Sequence, residues 1–116
     1  MDAMMNETLA GRELEANVLT KAAAMMEDVK EHWGTPDSVE LLGDALTYNQ
    51  LLWSVFQAEL IENANPMPPL IKSNILTLGD FVGRYTQKVS ANPEPRKLDV
   101  LISINRNLAA GLRAAA

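Results

Sequence analysis

A chain of 116 residues, 47% hydrophobic and 22% charged, has the size and balance of one folded domain with its own core, and not the composition of a disordered or fibrous segment. It has no cysteine and one histidine, His32, which excludes a disulfide framework, a thiolate metal site and a histidine cluster. The formal net charge of −5 works against nucleic acid, whose non-specific grip comes from Lys and Arg displacing counterions, and the basic residues from Arg12 to Arg113 are scattered rather than gathered in a patch.

The opening residues carry an acid and no basic stretch followed by a long apolar run. They read as neither a signal peptide nor a membrane span, so a cytoplasmic protein is expected, with residues 1–10 as a flexible lead-in. From about Glu13 to Trp33, Leu14, Val18, Ala22, Met25, Val29 and Trp33 recur at the spacing of one helix face. Gly34 follows as a left-handed C-cap before Thr35 and Pro36. Asp37, three residues before Glu40, predicts a capping box that opens the second helix.

Helix two is expected to run to about Asn63, with Leu42, Ala45, Leu46, Leu52, Trp53, Phe56 and Leu60 as its main stripe. A second line, Tyr48, Leu51 and Val55, lies beside it. The two lines together far exceed the ~100° stripe a surface helix needs, so this helix is central or offers a docking face. The run Asn65-Pro66-Met67-Pro68-Pro69 is a hard break, and Pro68 or Pro69 suits the first turn of helix three. That helix packs Leu70, Ile71, Ile75, Leu78, Phe81, Val82, Tyr85 and Val89 on one side. Leu76, Gly79 and Gly83 fall on the other, where two interior glycines predict a close neighbour. After Asn92-Pro93-Glu94-Pro95, helix four turns Leu98, Leu101, Ile102, Leu108, Ala109 and Leu112 inward, and the final alanines fray. No strand pattern or repeat is present, and the predicted fold is all-α, a compact bundle of about four helices joined by short loops over a single domain, residues 1–116.

Nothing in the chain supplies a phosphate loop, a nucleophile with its base or a helical pair of metal ligands, so no enzyme, cofactor or metal is expected. The carboxylates Glu13, Glu15, Glu27, Asp28 and Glu31 read as a solvated helix face, and His32 as a contact to the negative end of helix one. Asn49 and Asn105 each interrupt an apolar stripe, where a buried amide must find partners. They are expected to share a network that fixes packing, with partner recognition as the other reading. Trp53, Phe56, Phe81 and Tyr85 read as core more than as binding site. If a groove exists, Tyr48, Leu51, Val55, Leu76, Val100 and Ile104 are its candidates; the bland reading makes them interior.

Three segments, ALTYNQLLWSVFQAEL at 45–60, NPMPPLIKSNILTLGDFVGRY at 65–85 and KLDVLISINRNLAAGL at 97–112, resemble the FlaF family of flagellar biosynthesis regulators, and GRELEANVLTKAAA at 11–24 resembles the family's first helix. Within the last segment, INRN followed by AAGL is not forced by bundle packing. Pro69 departs from the family pattern, where a residue such as arginine is expected. The resemblance implies a cytoplasmic protein needed for flagellin synthesis and filament assembly, one that binds flagellin as an export chaperone or adaptor. The alternative it implies is regulation of flagellin expression through FlbT or another protein, without holding flagellin. Family matching highlights Asn49, Trp53, Asn105, Arg106 and Asn107 as partner-binding residues. The expected partners are therefore flagellin and FlbT, with no direct nucleic acid and no membrane.

Overall fold

The structure, a computed structural model, describes residues 2–62 and 65–115. Four α-helices follow one another: α1 (Asp2–Glu31), α2 (Ser38–Ile61), α3 (Pro69–Ala91) and α4 (Leu98–Ala115), with one 3₁₀ turn at Pro95–Lys97 before α4. The all-α bundle expected from periodicity is what forms. Its long axis, 52 Å against 22 and 18 Å across, follows from α1, whose 30 residues span about 45 Å at 1.5 Å per residue.

α1 starts at Asp2, well before the Glu13 start that periodicity predicts; no proline interrupts the stretch, and Ala, Met, Glu and Leu sustain a helix. Met1 and Ala116 lie outside the described residues, as do the side chains of residues 2–10 and Ala115, whereas α4 continues through Ala114 to Ala115, where fraying is expected. Gly34 adopts φ +84°, the left-handed conformation that ends α1 without a Cβ clash. The capping box at Asp37 does not form. Asp37 is already in the helical region and its side chain makes no cap bond, because a capping carboxylate reaches back to the first amides only from an extended backbone. The turn is held instead by Thr35 Oγ1 donating to the His32 carbonyl at 2.7 Å and Ser38 Oγ donating to that of Thr35 at 2.9 Å. Pro69 takes the first position of α3, where its missing amide costs nothing.

α1 is the middle of the bundle. α4 packs along one side of it and α2 along another, while α3 docks mainly on α2. The direction of each pair can be read from its contacts. Lys30 pairs with Asp99, Glu27 with Arg106, and Asn17 with Arg113, so α4 ascends as α1 descends. Gln57 of α2 meets Leu76 and Gly79 of α3.

The buried face of α1 is Ala16, Leu19, Ala22, Ala23, Met26 and Val29, rotated from the predicted stripe. Leu14 is 64% exposed, and Val18, Met25 and Trp33 are half-buried. Small alanines bring α4 close, and the larger Leu14 and Val18 are left at the margin. On α3 the buried positions are Ile75, Gly79, Val82, Thr86 and Val89, whereas Leu70, Ile71 and Phe81 are exposed. Thr86 tolerates burial because its hydroxyl donates to the Val82 carbonyl at 2.7 Å. On α4 the predicted inward residues are buried except Leu108, which is half-buried.

Candidate functional site

Two features bring the singled-out residues together, one interior and one at the surface. In the interior, Asn49, Trp53 and Asn105 are buried and form a single polar network where α1, α2 and α4 meet. Asn105 Nδ2 donates to Asn49 Oδ1 at 2.7 Å and to the Leu19 carbonyl at 3.3 Å, and Asn105 Oδ1 accepts from Trp53 Nε1 at 3.1 Å. Trp53 also meets Phe56 edge to face, 5.9 Å between ring centroids. The expected asparagine network is therefore present and includes a tryptophan. These three side chains face one another rather than the surface.

At the surface, α1 and α2 diverge enough to leave an open groove of about 260 Å³. The α2 wall is the second apolar line: Tyr48, Leu51 and Val55, backed by Leu52 and Phe56. Leu51 is 63% and Val55 52% exposed, so two large aliphatic side chains face water without a partner. The α1 wall is Leu14 and Val18, with Leu19 at the floor. The spacing of Leu14 and Val18 reads as core; the signal against that is Ala16, Ala22 and Ala23, which mark where the closest helix contact lies.

The groove has charged ends. At one, the Lys21 ammonium lies over the Tyr48 ring, 5.2 Å from its centroid. At the other stand Glu15 and Glu59. Glu15, expected to be a solvated carboxylate, is half-buried, and beside it Asn65, Pro66 and Met67 of the α2–α3 connection form a smaller hollow. Burial first, and the Glu59 carboxylate second, push its pKa up from 4.5 to about 7, against the opposing Arg12 guanidinium.

The other candidates lie elsewhere. Leu76 and Ile104 are half-buried against the core, and Val100 is exposed on α4; none lines the α1–α2 groove. They sit on α3 and α4, and the groove is built from α1 instead. Arg106 is on the surface with Nη1 3.4 Å from Glu27 Oε1, and Asn107 is exposed. Phe81 and Tyr85 stack at 5.5 Å on α3, with Phe81 exposed rather than in the core.

Among the described residues, no helix is long and apolar enough to cross a membrane, and no group of three or more His, Cys, Asp or Glu is placed to hold a metal ion. The site is thus an open apolar groove on an α-helical bundle whose interior holds a buried amide network. The model of the flagellar protein FlaF family matches residues 2–112, nearly the whole chain. The chain belongs to that family and is a flagellar protein. No curated protein and no solved structure matches it.

Proposed function

We propose that this protein binds flagellin in the cytoplasm as an export chaperone or adaptor, and through that contact serves flagellin synthesis and filament assembly. The observation that carries the reading is the α1–α2 groove, where Leu51 and Val55 stand more than half exposed opposite Leu14 and Val18. An amphipathic helix laid there would bury its apolar face, and flagellin's terminal helices are such segments before they polymerise. Covering them prevents premature assembly. The role is one of binding and not of catalysis, and membership of a flagellar family supports the choice of partner.

Titrating the purified chain with monomeric flagellin tests this. Saturable binding at about 10 μM or tighter is expected, weakened roughly tenfold or more by Leu51→Asp, since removing one large aliphatic contact costs ~1.5–3 kcal/mol. Circular dichroism checks that the variant folds. Absence of binding, together with flagellin levels that still depend on the protein, transfers the role to regulation through FlbT.

A further inference from the structure

We propose that the groove selects an amphipathic helix carrying a basic side chain at the end that lies against Glu15 and Glu59. The inference rests on the reading of the α1–α2 groove as a helix-docking site and adds what the docked helix must look like.

The argument begins with reach. From Tyr48 to Glu59 the α2 wall covers about 16 Å at 1.5 Å per residue, so the groove accommodates roughly three turns of helix. Leu51 and Val55 are four residues apart on one wall and Leu14 and Val18 four apart on the other. That repeat is met by apolar side chains at i, i+3/i+4 and i+7 of an incoming helix. Apolar contacts alone leave its direction open. The charges at the two ends do not.

Lys21 stands beside Tyr48 and disfavours a second cation there. At the opposite end two carboxylates share one rim, and among the described residues the charged groups that face Glu15 are Arg12 from α1 and Glu59 from α2, while Asn65, Pro66 and Met67 bring no charge. Once Glu15 ionises, the one guanidinium no longer balances the two carboxylates, and the rim is short of positive charge. A lysine or arginine of the partner supplies it, in a partly desolvated place where a charge-assisted hydrogen bond is stronger than in water.

The free protein keeps Glu15 largely protonated below neutrality, because burial and Glu59 both oppose its ionisation and its pKa is raised to about 7. A cation at the rim favours the carboxylate. Docking then moves the Glu15 proton to solvent, and the affinity increases with pH across that window. If only the ionised form accepts the basic residue, linkage makes binding about tenfold tighter at pH ~8 than at pH ~6.

Isothermal titration of the full chain with monomeric flagellin, at both pH values and in two buffers of different ionisation heat, reads the affinity and the proton together. A roughly tenfold gain at the higher pH with proton release, both abolished by Glu15→Gln, is expected. A second arm uses two helical peptides of about fourteen residues, long enough to fill three turns, with one leucine stripe and either lysine or glutamate at one end. The lysine peptide is expected to bind about tenfold more tightly, a preference lost in a Glu15→Gln/Glu59→Gln chain. Flagellin binding that is lost in Leu51→Asp but keeps its pH dependence in Glu15→Gln overturns the charge selection and leaves the groove reading standing. A peptide preference without flagellin binding upholds the selection and removes flagellin as its partner. Equal binding of the two peptides, or binding of neither, overturns the inference.

Discussion

Asn105 Nδ2 lies 2.7 Å from Asn49 Oδ1, and this amide pair ties α4 to α2 across the face of α1. Asn105 is the hub, since it also accepts from Trp53 and donates to the Leu19 carbonyl. Asn49 is peripheral: its Nδ2 is buried without a hydrogen-bond partner. Asn105→Ala leaves the Trp53 indole N–H and the Asn49 amide oxygen unpaired and is expected to destabilise the fold by about 3 kcal/mol. Asn49→Ala leaves one Asn105 N–H without its acceptor but also removes an orphaned donor, and should cost about 1 kcal/mol. Urea denaturation of the two variants checks the order; equal costs would show that Asn105 has no special place.

Gly79 and Gly83 separate on substitution. A Cβ on Gly79 would stand 2.5 Å from Gln57 Nε2 and 2.6 Å from its Cδ, whereas nothing lies within 4 Å of a Cβ on Gly83. Alanine gains about 1 kcal/mol over glycine inside a helix. Gly83→Ala should therefore stabilise by up to about 1 kcal/mol. Gly79→Ala should be close to neutral, because it drives Gln57 from the Leu76 carbonyl it reaches at 3.5 Å. In a Gln57→Ala background the same change should stabilise by about 1 kcal/mol, and thermal melts of the double-mutant cycle read this coupling.

The number of helices, the Gly34 cap, the Pro69 start and the asparagine network were legible because each depends on local chemistry or on a polar residue inside an apolar stripe. The phase of α1 was not. Periodicity weights large side chains, and here alanines occupy the closest contact while Leu14 and Val18 are displaced to the rim. Half of the groove was therefore visible as the surplus line Tyr48-Leu51-Val55, and the other half was hidden in what read as core. Gly83 looked like Gly79 because spacing cannot tell which glycine faces a neighbour. Thr86 is buried through its internal bond to the Val82 carbonyl, an arrangement with no signature in the sequence.

The raised pKa of Glu15 has a sign for stability. Between the ordinary value of 4.5 and about 7, the folded chain holds a proton that the unfolded chain has released, so stability falls as pH rises through that window. The contribution is present below pH 4.5 and lost above about 7. Denaturant midpoints of the wild type minus those of Glu15→Gln should decline over this interval. A flat difference would mean that Glu15 titrates as an ordinary surface carboxylate.

His32 differs from Glu15 in that its protonated form is the charged one. Its Nδ1 lies 2.9 Å from the Asp28 carbonyl and 3.2 Å from the Asp28 carboxylate; the backbone hydrogen bond first, and that charge second, raise its pKa above 6.5. Stability from this contact is present below the unfolded value of 6.5 and lost as pH rises through the folded value. In a proton NMR titration, Asp28→Asn should lower the His32 pKa but leave it above 6.5, because the carbonyl contact survives.

Arg106, though part of the segment that carries the family resemblance, pairs with Glu27 on α1, more than two turns beyond Val18. Arg106→Ala should fold and bind flagellin with unchanged affinity in a sizing-column co-elution. Weakened binding would extend the contact surface onto α4.

The most direct test of a flagellin-binding groove is to watch methyl groups in the protein while monomeric flagellin is added. With Leu, Val and Ile methyls labelled, the signals of Leu14, Val18, Leu51 and Val55 should shift together, while those of Val39, Leu70 and Val100, exposed but outside the groove, stay in place. Shifts confined to Leu70, Ile71 and Val100, or no shifts at all at saturating flagellin, would contradict the account.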